Sequence, residues 1–227
     1  MDQAKRYLKE NSLRWVNFFK TEEMEREERV WDMEFRVVRE DNKAPLVRGI
    51  AAVFNKLSEN LGGFREKIDP GAFDDVMDND VRALFNHDRN LILGRTKPKT
   101  LRLSLTPEGL AYEYDDPGNS YSIDLLRSLE RGDVSQSSFA FYVEDDRWDE
   151  DSEGRVIRTI KKFKRLFDVS PVTYPAYPDT SVGKRSLEAF EAEKTKGLQA
   201  QKDLEEMNER IAQFEINEAN GLIGHKN

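Results

Sequence analysis

The sequence predicts a mainly β fold with helices, an α+β class in which the strands close into a small barrel-like sheet flanked by helical arms. Three observations support this. Short apolar stretches bounded by turn residues recur between residues 33 and 183. Leu101, Leu103 and Leu105 alternate with polar residues, the period of a half-buried strand. The composition changes near residue 33 and again near residue 184, from and to charged, helix-compatible segments. Residues 1–32 therefore read as a helical N-terminal arm, 33–183 as the folded domain and 184–227 as a helical C-terminal tail.

The arm carries its apolar content as Tyr7, Leu8, Leu13, Trp15, Val16, Phe18 and Phe19, a loose amphipathic pattern without Gly or Pro. Phe35, Val37 and the run Leu46 to Phe54 read as the first strands, joined by a turn at Asp41-Asn42-Lys43. Pro70-Gly71 breaks a strand, and Ala72 to Met77 suits a short helix. Val81 to Phe85 is a strand leading into the polar turn Asn86-His87-Asp88. Leu101 to Leu105 and Leu110 to Tyr114 form a hairpin about Pro107-Glu108-Gly109. Ile123, Leu126 and Leu129 have helical spacing, and Gly132 is placed to cap that helix.

Val134 to Val143 is strand-like. The acidic stretch Glu144–Glu153 and the basic stretch Arg155–Arg165 are expected to pair as a hairpin, acid opposite base. Leu166 to Tyr174 is the final strand, ended by Pro175 and Pro178. In the tail, Leu204, Met207, Ile211 and Phe214 form a short heptad-like stripe, which Gly197 interrupts toward Leu187 and Phe190.

Composition excludes several classes of function. The chain has 227 residues, 35% of them charged, yet 13 Phe, 7 Tyr and 3 Trp supply enough apolar surface for a core. With no cysteine, disulfides, thiolate metal sites and thiol nucleophiles are ruled out. A formal charge of −8 argues against nucleic-acid binding through a basic surface. No apolar run approaches a membrane span. Asp149, Asp151 and Glu153 faintly suggest a calcium loop, but the required Glu falls on Ile160, so a solvated hairpin tip is the better reading. No glycine-rich phosphate loop is present. No metal and no cofactor are expected.

Imidazole chemistry has two addresses, His87 and His225, and the second lies in a C-terminus that Gly221 and Gly224 are expected to fray. Ser135, Ser137 and Ser138 lie in an otherwise apolar strand, with Ser135 and Ser137 on one face and Ser138 on the other. Asp168 sits between Phe167 and Val169, where a buried carboxylate would need a partner. A serine hydroxyl, an imidazole to take its proton and a carboxylate to orient the imidazole together make a serine hydrolase set. On residue types alone, a surface His87, ordinary strand serines and an exposed Asp168 are the favoured readings.

Five blocks, in order, resemble the prohead (capsid maturation) protease family of tailed bacteriophages. They are Arg48–Asn55; Phe64–Phe73; Val81–Asp88 followed by Leu93–Thr96; Gly132–Phe141; and Asp168–Pro178. The resemblance implies a serine endopeptidase with a closed β-barrel like that of the herpesvirus assembly protease. It also implies His87 as the base, Ser138 as the nucleophile and Asp168 as the acid, a position often Glu in relatives. Two departures stand out: Gln136-Ser137 replaces the family's Gly-Met, and Ala140 replaces a Gly. Both family glycines allow close backbone approach.

The resemblance further implies a substrate, either the scaffold or the scaffold-like arm of the major capsid protein, together with the enzyme itself. The setting would be the host bacterial cytoplasm, inside the immature capsid, with no membrane or stable nucleic-acid partner, and it allows a homo-oligomer. The competing expectation is a catalytically inactive scaffold or assembly protein with the same fold. The tail stripe is expected to dock on capsid protein or scaffold.

Overall fold

The computed structural model describes residues 25–33, 35–174 and 181–223. Among these described residues ten strands form two sheets. The elements are β1 (Glu27–Asp32), β2 (Arg36–Val38), β3 (Leu46–Val53), β4 (Phe64–Ile68), a 3-10 helix (Pro70–Val76), β5 (Arg82–Phe85), β6 (Asp88–Arg95), β7 (Leu101–Leu105), β8 (Gly109–Asp115), α1 (Ser120–Arg131), β9 (Gln136–Glu150), β10 (Val156–Val172) and α2 (Ser181–Ile223). The six-stranded sheet runs β1-β9-β10-β5-β6, with β4 also pairing with β10, and the four-stranded sheet runs β2-β3-β8-β7.

The two sheets pack face to face. Val47, Ala51, Leu110 and Tyr112 of the smaller sheet share one buried cluster with Phe139, Phe141, Phe163 and Val169 of the larger. Phe73 of the 3-10 helix closes the middle, its ring centroid 4.4 Å from that of Phe163. Each fully buried Phe contributes about 1.5–3 kcal/mol by removal of apolar surface from water. Phe139 and Phe141 stack at 4.7 Å. They fix the inner face of β9, and therefore the outer face on which Ser138 lies.

The expected closed barrel is corrected. Among the described residues β1 and β6 end one sheet, β2 and β7 end the other, and no ladder joins the end strands. A single parallel bridge, Phe54 to Ile68, links the two. Alternating patterns do not separate the architectures, because packed sheets and barrels both need one inward face per strand.

The arm also differs from expectation. Residues 1–24 lie outside the described residues, but Glu27–Asp32 is a strand, not a helix, paired antiparallel with β9. Its alternation of Glu27, Arg29 and Trp31 inward is readable as strand only once the buried charges have partners. The last two predicted strand pairs are two long strands, β9 and β10. They turn at Gly154, whose φ of 74° suits glycine. The hairpin forms, and acid meets base along part of it: Lys162 faces Asp145 and Arg158 reaches Asp146 at 2.6 Å, whereas Asp149 faces Ile157 and Asp146 faces Ile160.

The Leu101–Leu105 hairpin and the helix capped by Gly132 are present as expected. Asn119 caps the start of α1 by accepting from the Ser122 N–H. In the tail, α2 runs through Gly197 without a break. Its first turns pack on the domain through buried Leu187 and through Phe190, stacked on Trp148 at 5.8 Å. Pro175, Pro178, Gly224 and His225 lie outside the described residues, as does the side chain of Phe214.

Candidate active site

Three elements bring the predicted site residues together. His87 is the second residue of the two-residue turn between β5 and β6, where Phe85 pairs with Asp88. Asn86 and His87 both have positive φ, 54° and 56°. Asn tolerates this left-handed conformation; His does so at a cost of roughly 1–3 kcal/mol, which the surroundings must offset. Asn86 ties the turn to the end of β10. Its N–H donates to the Pro171 carbonyl at 3.0 Å, and its Oδ1 accepts from the Thr173 N–H at 2.8 Å.

Ser138 lies in β9, opposite Val30 of β1 and Ser170 of β10. Its Oγ is 2.7 Å from His87 Nε2. Ser137, one residue away, points inward to Tyr112, whose hydroxyl is 3.0 Å from it. The alternation of faces separates the two serines as the strand period requires. Burial pushes the Tyr112 phenol well up, the Ser137 bond opposing, so Tyr112 stays a neutral core hydroxyl.

Asp168 reaches the same face through a β-bulge. Leu166 pairs with Phe141 and Asp168 with Ala140, so Phe167 is an extra residue without a partner on β9. Without it, Asp168 would share the inward face of Leu166, since residues two apart in a strand point the same way. The bulge turns Asp168 onto the Ser138 face, where it is 2% exposed.

Its Oδ1 lies 2.5 Å from His87 Nδ1 and accepts from Ser170 Oγ at 3.0 Å. Its Oδ2 accepts from Arg26 at 2.7 Å. With the proton on Nδ1 and directed at Asp168, Nε2 is left as an acceptor for the Ser138 hydroxyl. This is the protonation pattern of a general base paired with an alcohol nucleophile. Ser138 itself is fully buried, and Glu28 Oε2 lies 3.8 Å from His87 Nε2.

Sequence reasoning missed Arg26, Glu28 and Ser170. The Asp-x-Ser spacing at 168–170 was a usable signal, because alternation puts both side chains on one face. Nothing local could have announced Arg26, which is 142 residues from Asp168.

A second charged group was also missed. Glu27, Arg29, Glu66 and Arg158 are each at most 5% exposed. Arg29 bonds Glu66 at 2.7 and 2.9 Å and Glu27 at 2.5 Å. Arg158 bonds Glu27 at 2.8 and 3.1 Å, Glu66 at 3.1 Å and Asp146 at 2.6 Å. Burial alone would raise the Glu27 pKa, but Arg158 and Arg29 together hold it below the usual carboxylate range. Among the described residues no group of His, Asp and Glu is arranged to hold a metal ion. No helix among them is long and apolar enough to cross a membrane.

Residues 32–195 match the family model of the caudovirus prohead serine protease. Among solved structures, the bacteriophage T4 capsid assembly protease is similar at 11% identity, covering 68% of this chain and 100% of that one with a TM-score of 0.47. No curated protein sequence matches.

Proposed function

Because the chain belongs to the caudovirus prohead serine protease family, we propose that it is a serine endopeptidase of phage capsid maturation with His87, Ser138 and Asp168 as its catalytic residues. The observation that carries the reading is the chain of contacts from Ser138 Oγ to His87 Nε2 at 2.7 Å and from His87 Nδ1 to Asp168 at 2.5 Å. His87 Nε2 takes the hydroxyl proton as Ser138 Oγ attacks the peptide carbonyl carbon. Asp168 keeps the imidazole in place and stabilises its cationic form. Nε2 then gives the proton to the leaving amine as the C–N bond breaks, leaving an acyl-enzyme that water hydrolyses by the same route.

The substrates are the scaffold, or the scaffold-like arm of the major capsid protein, and the enzyme itself. Cleavage takes place inside the immature capsid in the host cytoplasm and makes room for DNA. The exposed stripe of α2, with Leu204, Met207 and Ile211, docks the enzyme on capsid protein or scaffold. Leu187, Phe190 and Lys194 contact the domain, so a truncation that tests docking starts after them. Removing residues 196–227 should abolish encapsidation and leave peptide cleavage intact.

The test of the main reading is intact mass against time for the purified protein with capsid protein, wild type beside Ser138→Ala. Fragments in the wild type alone support it; fragments in both move the nucleophile elsewhere. One observation favours an inactive assembly protein with this fold. Ser138 is fully buried, under His87 and between neighbouring strands. Intact chains in both samples, with capsid protein assembled around them, would establish that second reading.

A further inference from the structure

Asp168 is almost wholly buried, and a carboxylate in that setting needs both oxygens satisfied. Its Oδ1 accepts from His87 and from Ser170. Its Oδ2 has Arg26 alone among the described residues, at 2.7 Å. Arg82 and Arg89 lie beside Asp168 in the lining of one hollow, but among the described residues neither bonds it, and Arg82 has Asp80 as its ion partner at 3.3 Å.

The Arg26 guanidinium is itself held from several sides. Its Nη2 lies 3.2 Å from Glu28 Oε1, and its central carbon lies 5.7 Å from the centroid of the Phe167 ring. The neighbouring Glu25 pairs with Arg185 in the first turns of α2. Phe167 is the extra residue of the β10 bulge, so the feature that turns Asp168 outward also seats its cation. These contacts set Arg26 apart from an exposed ion pair, which contributes little. Without Arg26, Oδ2 would be a buried charge with no partner. The carboxyl group would then turn toward another donor or take a proton, and in either state it would not hold His87 Nδ1–H as an anion does. The family match begins at residue 32, so Arg26 is a feature of this chain outside the matched region.

We propose that Arg26 is a positioning residue for the reaction: it anchors the Asp168 carboxylate and, through it, the His87 imidazole, which makes the segment before β1 part of the working site. The proposal rests on the endopeptidase reading of Ser138, His87 and Asp168.

The experiment follows cleavage of capsid protein by the purified full chain over a range of substrate concentrations. Wild type, Ser138→Ala, Arg26→Met and Arg82→Met are compared, with urea unfolding of each to establish folding. Arg26→Met should lower kcat about ten- to a hundredfold and leave KM within about twofold, the pattern of an interaction used in the chemical step and not in substrate binding. Low millimolar guanidinium, far below denaturing concentrations, should restore part of that loss by occupying the vacated place beside Oδ2. Arg82→Met removes a neighbouring cation that does not bond Asp168; its kcat should stay within about twofold of wild type and should not respond to guanidinium. Should Arg26→Met not fold, Arg26→Gln, which keeps a donor but no charge, carries the same comparison. Cutting that depends on Ser138 but persists at wild-type kcat in the folded Arg26 variant overturns the role and leaves the protease reading standing. So does a rise in KM at constant kcat, or an equal loss in Arg82→Met. Capsid protein left intact by the wild type and by Ser138→Ala alike removes the protease reading and the role of Arg26 with it.

Discussion

The two faces of β1 present two arginine–carboxylate clusters that differ in what they leave open. Inward, Glu27 and Arg29 join Glu66, Arg158 and Asp146 in a buried network in which each charge has an opposite partner. Outward, Arg26 and Glu28 lie against Asp168 and His87, and there the network ends on a neutral hydroxyl, Ser138. The inner cluster is closed, so its charges can only hold elements in register. The outer one ends with an imidazole nitrogen 2.7 Å from an alcohol oxygen. Burial of charge is common to both. What separates structural from chemical use is the uncharged member at the end of the chain.

The largest expected break is at the outer cluster. Asp168→Asn keeps the shape but cannot orient the imidazole as an anion does, and kcat should fall about 10⁴-fold, measured on the capsid-protein substrate. The next is at the inner cluster. Arg158→Met leaves Asp146 without its arginine and Glu27 and Glu66 with Arg29 alone, and should cost about 3–5 kcal/mol, read from urea unfolding. Activity per folded molecule should stay within about twofold of wild type, since Arg158 touches no member of the proposed triad.

Acid sharpens the same contrast. The folded-state pKa of Glu27 is lowered, so its contribution to stability is present above the ordinary carboxylate value of about 4.5 and is lost as pH falls through the lower folded value. Unfolding free energy should therefore drop below pH ~4.5, and Glu27→Gln should show a flatter acid limb in a urea titration across pH. The smallest effect is expected at Ser170→Ala. It removes one bond to Asp168 worth about 0.5–1.5 kcal/mol and should lower kcat several-fold, with a shift of only a few degrees in the unfolding midpoint.

The strands with clean alternation are legible in the sequence, as are the helix with its glycine cap and the Leu101–Tyr114 hairpin, because their signals are local. The number of sheets is not, since alternation reports that a strand has one buried face and not which partner covers it. β1 reads as helix because Glu27 and Arg29 look solvent-facing until Glu66 and Arg158, far along the chain, are there to neutralise them. His87 and Ser138 stand out by residue type and by the face that Ser138 occupies. Asp168 comes through the family's motif; the strand period alone would place it with Leu166, and only the extra residue Phe167 reverses that. Arg26 has no signal, since a cation facing an acid across the sheet leaves no trace in either neighbourhood.

The tight turn that carries His87 has a consequence for how the chain can vary. Connecting loops usually absorb insertions, because their ends stay put while the middle grows. Here the middle is His87, the proposed base. One added residue of extended chain displaces its neighbour by about 3.3 Å, which exceeds the slack in a proton transfer needing heavy atoms about 2.6–3.2 Å apart. The Asn86–His87 connection is therefore a fixed-length part of the molecule. Sequence drift can be accommodated at the Gly154 tip of the long hairpin, and length polymorphism between functional relatives of this chain should be found there and not between β5 and β6.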